Sequence, residues 1–386
     1  MIKVTNPSDC CGCTACYSIC KHNAINLRTD SKGFIYPQFD EVQCIDCGLC
    51  NNVCPIVNAE KRNENFKQIF AVRLKDETIL KKSSSGGAFY AIASYVIKEL
   101  HGVVFGVEYD NEMTVRHNYT ETLEGLRKFH GSKYVQSATT GIYNEVLKKL
   151  KEERYVLFSG TPCQIMALRL FLHKKYEKLI CIDLICHSVP SPLIFKNYVD
   201  YVSRIHKSRL IGLDMRNKSK GWSHLFYYYY YYFANGMCIG DEKLKCEHWG
   251  KLFFSGLITR PSCNECRFTN YRRTGDITIA DFWDDDLKRP ECFSEKGTSL
   301  VIVSTDTGDS IVEKIKENIH IWALSKSESY QPCLAHPYKA NPKFNEFWDY
   351  YNKFGFEKAY RKYFVKSLGN RIKSKIKYVL KGINNL

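Results

Sequence analysis

Residues 155–201 read YVLFSGTPCQIMALRLFLHKKYEKLICIDLICHSVPSPLIFKNYVDY, and the rhythm of apolar residues in this stretch decides the fold class. Two short apolar runs, Tyr155–Ser159 and Leu179–Leu184, have the length of buried strands. Gln164–His173 between them has the length of a helix, and a second helix follows the turn at Pro190 and Pro192. This predicts a βαβα unit with parallel strands, because a crossover helix returns the chain to the same end of the sheet. Ligands in such a sheet gather beyond the carboxyl ends of the strands. Cys163 and Cys186 each follow a strand by a few residues, so both sulfurs are expected to face one crevice. Downstream, Cys263-x-x-Cys266 after Arg260-Pro261 is a chelating pair on a loop. Cys163, Cys186, Cys263 and Cys266 together meet the requirement of one [4Fe-4S] cubane. Buried structural cysteines, with a zinc pair, are the alternative that spacing leaves open.

Toward the N-terminus the cysteines become dense, and half of the chain's 18 lie before residue 55. Cys10, Cys13, Cys16 and Cys20 follow C-x2-C-x2-C-x3-C; Cys44, Cys47, Cys50 and Cys54 repeat it, with Pro55 closing the run. This is the two-cluster bacterial ferredoxin pattern, in which the fourth cysteine of each run reaches across to the other cluster. The expected ligand sets are therefore Cys10, Cys13, Cys16 and Cys54 for one [4Fe-4S] cluster, and Cys44, Cys47, Cys50 and Cys20 for the other. Structural zinc usually takes its ligands as separated pairs instead. Gly12 and Gly48 fall in the tight turns, and Lys21 stands where the pattern usually has proline. Cys11 is surplus, because a cubane needs one thiolate per iron. Cys181, Cys238, Cys246, Cys292 and Cys333 have no partner spacing and read as core or surface thiols. Such cysteine density suggests metal ligation in a reducing compartment, and the absence of a leader-like start points to the cytoplasm.

The expected architecture is an α+β ferredoxin-like dicluster module followed by an α/β domain with a mixed, partly parallel sheet. The module spans residues 1–57 and a polar linker 58–67; the α/β domain occupies 68–152 and 153–330, and a basic helical tail 331–386. A strand is expected at Gln68–Leu74, a helix from Ala88 to Leu100, and a strand at Leu225–Ala234, where six tyrosines in succession suit a pleated surface. Between the first two lies Ser83-Ser84-Ser85-Gly86-Gly87, whose hydroxyls and free amides at a helix N-terminus suit a phosphate. Gly131-Ser132-Lys133-Tyr134 adds a cation and hydroxyls that would close over the same anion. There is no G-x-G-x-x-G fingerprint and no Walker loop, which argues against a standard nicotinamide site.

The net charge is +15, and Arg361–Leu386 is basic with no acidic residue. No recognised nucleic-acid module accompanies that charge. No apolar run reaches the roughly 18 residues that a membrane span needs. Apolar residues at helical intervals in the tail suggest an amphipathic helix, either packed on the domain or touching the inner face of the membrane.

Taken in order, Ser83–Phe89, Gly131–Tyr134, Gly160–Gln164, Leu184–Pro192, Cys263–Cys266 and Asp276–Trp283 resemble the family of coenzyme F420 hydrogenase/dehydrogenase beta subunits. The resemblance covers about residues 68–305 and implies a flavin, FAD, beside an iron-sulfur cluster. It implies that Ser85, Gly86 and Gly87 lie against the flavin phosphates, that Lys133 lies near the flavin with Gly131 and Tyr134, and that Cys163, Cys186, Cys263 and Cys266 ligate the cluster. Ser188 departs from the glycine that often follows Cys-His. His187 reads as a solvated loop histidine or a tuner of the cluster. Asp276 and Asp281 hold loops, or else stand near the isoalloxazine. Bacterial relatives with a fused module resemble surface-polysaccharide synthesis proteins, which implies a sugar or lipid-linked substrate. The expected function is an iron-sulfur flavoprotein oxidoreductase exchanging electrons with a redox protein; the alternative is an electron relay within a larger complex, with no substrate of its own.

Overall fold

The computed structural model describes residues 4–60, 66–222, 227–283 and 289–365. The N-terminal module is built on an antiparallel hairpin, β1 (Ile25–Thr29) and β2 (Ile35–Phe39), in register from Ile25 opposite Phe39 to Thr29 opposite Ile35. Short helices Ala15–Ile19 and Leu49–Asn52 pack together beside it. Each cysteine run turns sharply before its helix, at Gly12 (φ 69°) and Gly48 (φ 73°), in a backbone region that side chains disfavour. Asn58, at the head of the expected linker, is tied into the module: its amide donates to Asn51 O at 2.8 Å and Cys54 O at 2.9 Å.

The rest of the chain forms two sheets. Strands β3 (Gln68–Leu74), β4 (Val103–Tyr109), β5 (Val115–Thr120), β6 (Val156–Gly160) and β7 (Leu179–Leu184) begin the larger one. The chain then leaves for a three-stranded antiparallel sheet of β8 (Leu210–Asn217), β9 (Tyr228–Phe233) and β10 (Cys238–Gly240). It returns as β11 (Ile277–Asp281), β12 (Ser299–Val303) and β13 (Ile319–Ala323). The larger sheet has eight strands in the order β13-β3-β12-β11-β7-β6-β4-β5. Its centre, β11-β7-β6-β4, is parallel, and every other pairing is antiparallel, so the sheet is mixed as expected.

Leu179–Ile182 and Val156–Phe158 are buried without alternation because helices cover both faces of the sheet. Helices Ala88–Lys98 and Asp306–Ile315 pack one face, around Val96, Leu157 and Ile311. Helices Ile142–Lys151 and Pro162–Leu172 pack the other, around Phe158, Ile165 and Leu168, and Ala15 and Val53 of the module join that core. The small sheet has its own core. Tyr229, Tyr231 and Phe233 are buried while Tyr228, Tyr230 and Tyr232 are not, which is the period-two burial of a strand half covered. Helices Pro192–Ile205, Phe344–Phe354 and Phe356–Tyr363 close that core through Tyr198, Trp348 and Tyr360. The described start of the basic tail therefore packs on the domain, while residues 366–386 lie outside the described residues. No helix among the described residues is long and apolar enough to cross a membrane.

Candidate redox centre

Cys10, Cys13, Cys16 and Cys54 line one small cavity of about 20 Å³, closed by Leu27, Ile35, Pro37 and Ile56. Burial pushes the Cys16 thiol up to about 12, with Cys10 and then Cys54 as the charged neighbours that add to it. Cys20, Cys44 and Cys50 are half-buried and Cys47 is exposed, so the second set lies nearer to solvent. Donors of the large domain hold the first cysteine loop by its carbonyls. Thr139 Oγ1 donates to Cys13 O at 2.9 Å, and Gln136 Nε2 to Cys11 O at 3.1 Å.

Cys163 lies in the first turn of its helix, which begins at Pro162 rather than at the expected Gln164. Proline suits a first helical position, and Thr161 and Gln164 form a reciprocal capping box that fixes the turn. Burial raises the Cys186 thiol well above its ordinary value, followed by Cys263, Cys163 and Cys266 as charged neighbours. The tertiary fold thus brings these cysteines together from a helix start, a strand end and the loop after the Pro261–Cys263 turn. Two more thiols join them. Cys11 packs with Cys163 against Met166 and Phe268, and Cys333 is a charged neighbour of both Cys186 and Cys266. Among the described residues no group of three or more His, Cys, Asp or Glu side chains is drawn together tightly enough for one metal ion. A cubane, with one thiolate per iron, asks for sulfurs set apart around a larger body.

Beyond the carboxyl ends of β6, β7 and β11 lies a cavity of about 490 Å³. Cys186 and Cys333 stand in its wall, as do Ser83–Ser85, Gly87, Gly131–Tyr134, Thr161, Asp281 and Trp283. Its size and its mixture of aromatic and polar lining are those of a cofactor pocket. Gly87 (φ 83°) opens the helix Ala88–Lys98 toward it. Gly86 is instead packed into the sheet: its carbonyl accepts from Leu74 N at 2.7 Å, and a Cβ there would lie 2.1 Å from Val72 O. The two expected anion segments do meet, since Ser132 N donates to Ser84 Oγ at 2.7 Å. Lys133 lines the cavity with its ammonium held by its own loop. Its ammonium donates to Lys128 O, His130 O and Gly131 O, and burial pushes it down to about 7.

Residues 153–328 match the family described as the C terminus of the beta subunit of coenzyme F420 hydrogenase/dehydrogenase, and residues 9–58 match the 4Fe-4S dicluster domain. The chain is thus similar to a dicluster domain in its N-terminal part and to the F420 hydrogenase/dehydrogenase beta subunit in its later part. It is 22% identical over 233 residues to the F subunit of F(420)H(2) dehydrogenase from Methanosarcina mazei, covering 55% of this chain and 63% of that protein. An uncharacterized protein of Methanocaldococcus jannaschii is 27% identical over 202 residues, covering 43% of this chain and 53% of the relative. The chain therefore spans about half to three-fifths of the length of these curated relatives. A chain from a xenon-derivatised structure of the F420-reducing [NiFe] hydrogenase complex from Methanosarcina barkeri is 16% identical, with a TM-score of 0.43, covering 77% of this chain and 91% of that one.

Within the beta-subunit region the aspartates of the DITIADFW stretch separate. Asp276 is structural: it accepts from Cys181 N at 2.7 Å, and Arg169 pairs with it at 2.9 Å. Asp281 faces the cavity and pairs with buried Arg216 at 2.7 Å. Arg216 also donates to Tyr134 Oη at 3.1 Å and lies 4.1 Å from the Tyr227 ring. Trp283 stacks on Trp222 at 4.2 Å, and Trp222 Nε1 donates to Ser84 O at 3.1 Å. Lys218 grips the same loop by donating to Ser85 O and the helix Glu77–Lys82 before it by donating to Leu80 O, and burial pushes it down to about 7. His187 is exposed, with Tyr338 and Phe254 rings at 5.2 and 5.8 Å. Arg216, Lys218 and Trp222 carry no motif in the sequence, and Tyr227 is the first of the six successive tyrosines. Tyr227 lines the cavity, while Arg216, Lys218 and Trp222 support its wall through Asp281, Ser85 and Ser84; their sequence signal is a dense run of cations and aromatics.

Proposed function

We propose that this chain is an iron-sulfur flavoprotein oxidoreductase in which electrons pass between the dicluster domain, a third cluster and a flavin, to or from an organic two-electron carrier. The observation that supports this best is one of adjacency. Cys11 adjoins Cys13 on one side and Cys163 on the other, while Cys186, a charged neighbour of Cys163, stands in the wall of the large cavity. Clusters supply one-electron chemistry, and a flavin joins one-electron to two-electron chemistry.

In this reading Cys10, Cys13, Cys16 and Cys54 hold the inner module cluster, and Cys20, Cys44, Cys47 and Cys50 the outer one. Cys163, Cys186, Cys263 and Cys266 hold the third. Ser84, Ser85 and the amides at Gly87 would face the phosphates of FAD, and Tyr134, Trp283 and the Asp281–Arg216 pair would shape the ring end. Lys133 holds its own loop in position. The names of the relatives point to a deazaflavin as the carrier, and a sugar or lipid-linked substrate is the other class proposed.

Iron, zinc and released flavin per chain, measured on anaerobically purified protein, test the proposal. About twelve irons and one flavin are expected. About eight irons without flavin would reduce the chain to an electron relay, and zinc at the cysteines would remove the cluster assignment.

A further inference from the structure

Arg260 is fully buried at the seam between the dicluster domain and the large sheet. Its Nε donates to Cys10 O at 2.8 Å, Nη1 to Gln136 Oε1 at 3.1 Å, and Nη2 to Ile35 O at 2.9 Å. Nη2 also points at the Cys10 sulfur, 3.6 Å away. The Tyr36 and Phe34 rings lie 4.5 and 5.3 Å from the guanidinium carbon. Gly12 leaves room for it, since a Cβ there would lie 2.6 Å from Nη1.

A guanidinium is charged at every working pH, and a charge removed from water is unfavourable unless an opposite charge meets it. Among the described residues no carboxylate pairs with Arg260. Of its hydrogen-bond acceptors, only the Cys10 sulfur can become an anion. We propose that Arg260 is the counter-charge of the cluster held by Cys10, a positioning residue that raises the reduction potential of that cluster. The inference rests on the ligand role given to Cys10 above.

Reduction adds one electron, and so one negative charge, to the cluster and its thiolates. A fixed cation with an N–H aimed at a ligand sulfur stabilises that reduced form more than the oxidised one. Arg260 also begins the turn Pro261–Cys263, so one side chain fixes the first module cysteine relative to the loop that carries Cys263. Lysine would keep the charge but not the planar fork of donors.

The test uses full-length wild type, Arg260→Gln and Arg260→Lys, purified anaerobically, with iron counted and the clusters titrated with dithionite under EPR. In the Gln variant one reduced signal is expected to move most to lower potential, with a smaller shift at the third cluster because Arg260 is also a charged neighbour of Cys163 and Cys263. Lys is expected to restore most of the shift. Unchanged potentials at equal iron overturn the inference and leave the cluster assignment standing. Wild-type protein without iron overturns both. Should the Gln variant fail to load, wild type grown with isotope-labelled arginine decides the matter. A guanidinium nitrogen coupled to a reduced cluster in ENDOR, and lost in the Lys variant, supports the role, whereas no coupling overturns it.

Discussion

His117 is buried and stacked on Phe158, with ring centroids 5.1 Å apart. Its Nε2 lies 3.0 Å from Ser159 O and its Nδ1 3.1 Å from Ser137 Oγ. A carbonyl can only accept, so Nε2 carries the proton and Nδ1 accepts from the hydroxyl. Ser137 in turn accepts from Gln164 Nε2 at 3.0 Å, so the histidine braces the helix start that carries Cys163. Burial pushes its pKa down to about 4, below the ordinary value of about 6.5. Between those values the unfolded chain binds a proton that the folded chain does not. The contribution is therefore complete above about pH 6.5 and is lost as pH falls toward about 4, amounting to about 3 kcal/mol. His117→Gln is expected to flatten this part of the pH profile of the urea midpoint, and an unchanged slope would refute the assignment. Nothing in the local sequence marks this histidine, because its partners come from β6 and from the loop after Tyr134. The module cysteines are the opposite case, since their spacing alone implies which of them share a cluster.

Element by element, what could be read from the chain depended on how local the cause was. Gln68–Leu74 and Leu179–Leu184 are strands at the expected bounds, and Ala88 does start a helix. The strand before Cys163 runs Val156–Gly160, one residue later than expected, and the helix after it starts at Pro162 because Thr161 caps it. The Ser/Gly loop shows the limit of composition. Its glycines look alike in sequence, yet Gly86 is a sheet contact and Gly87 a helix opening. Gly86→Ala would bring a Cβ to 2.1 Å from Val72 O and 2.3 Å from Ser299 N, both backbone atoms that cannot rotate away. A loss of about 1–3 kcal/mol or more is expected in chemical denaturation. An Ala variant as stable as wild type would show that the loop is free to shift.

At the scale of the molecule, the dicluster domain is part of the core rather than an appendage. Ala15 and Val53 pack with Ile142 and Ile165, and Arg267 Nη1 donates to Ile56 O at 3.0 Å. A chain lacking residues 1–60 would expose this face of the large domain, at about 1.5–3 kcal/mol for each large apolar side chain uncovered. It is expected to melt well below the full chain, and equal melting temperatures would mean that the two parts are independent.

The sequence by itself determined the dicluster pattern, the parallel βαβ unit and the crevice beyond its strands. Each of these follows from spacing or periodicity within a few tens of residues, where the backbone leaves few alternatives. The tertiary structure decided which side chains meet across longer separations. It set Arg216 against Asp281, turned Lys133 onto its own loop while Lys218 took the Ser loop, and buried Arg260 against Cys10. Such pairings depend on how the sheets and the module pack, and packing is set by the summed fit of residues far apart in the chain.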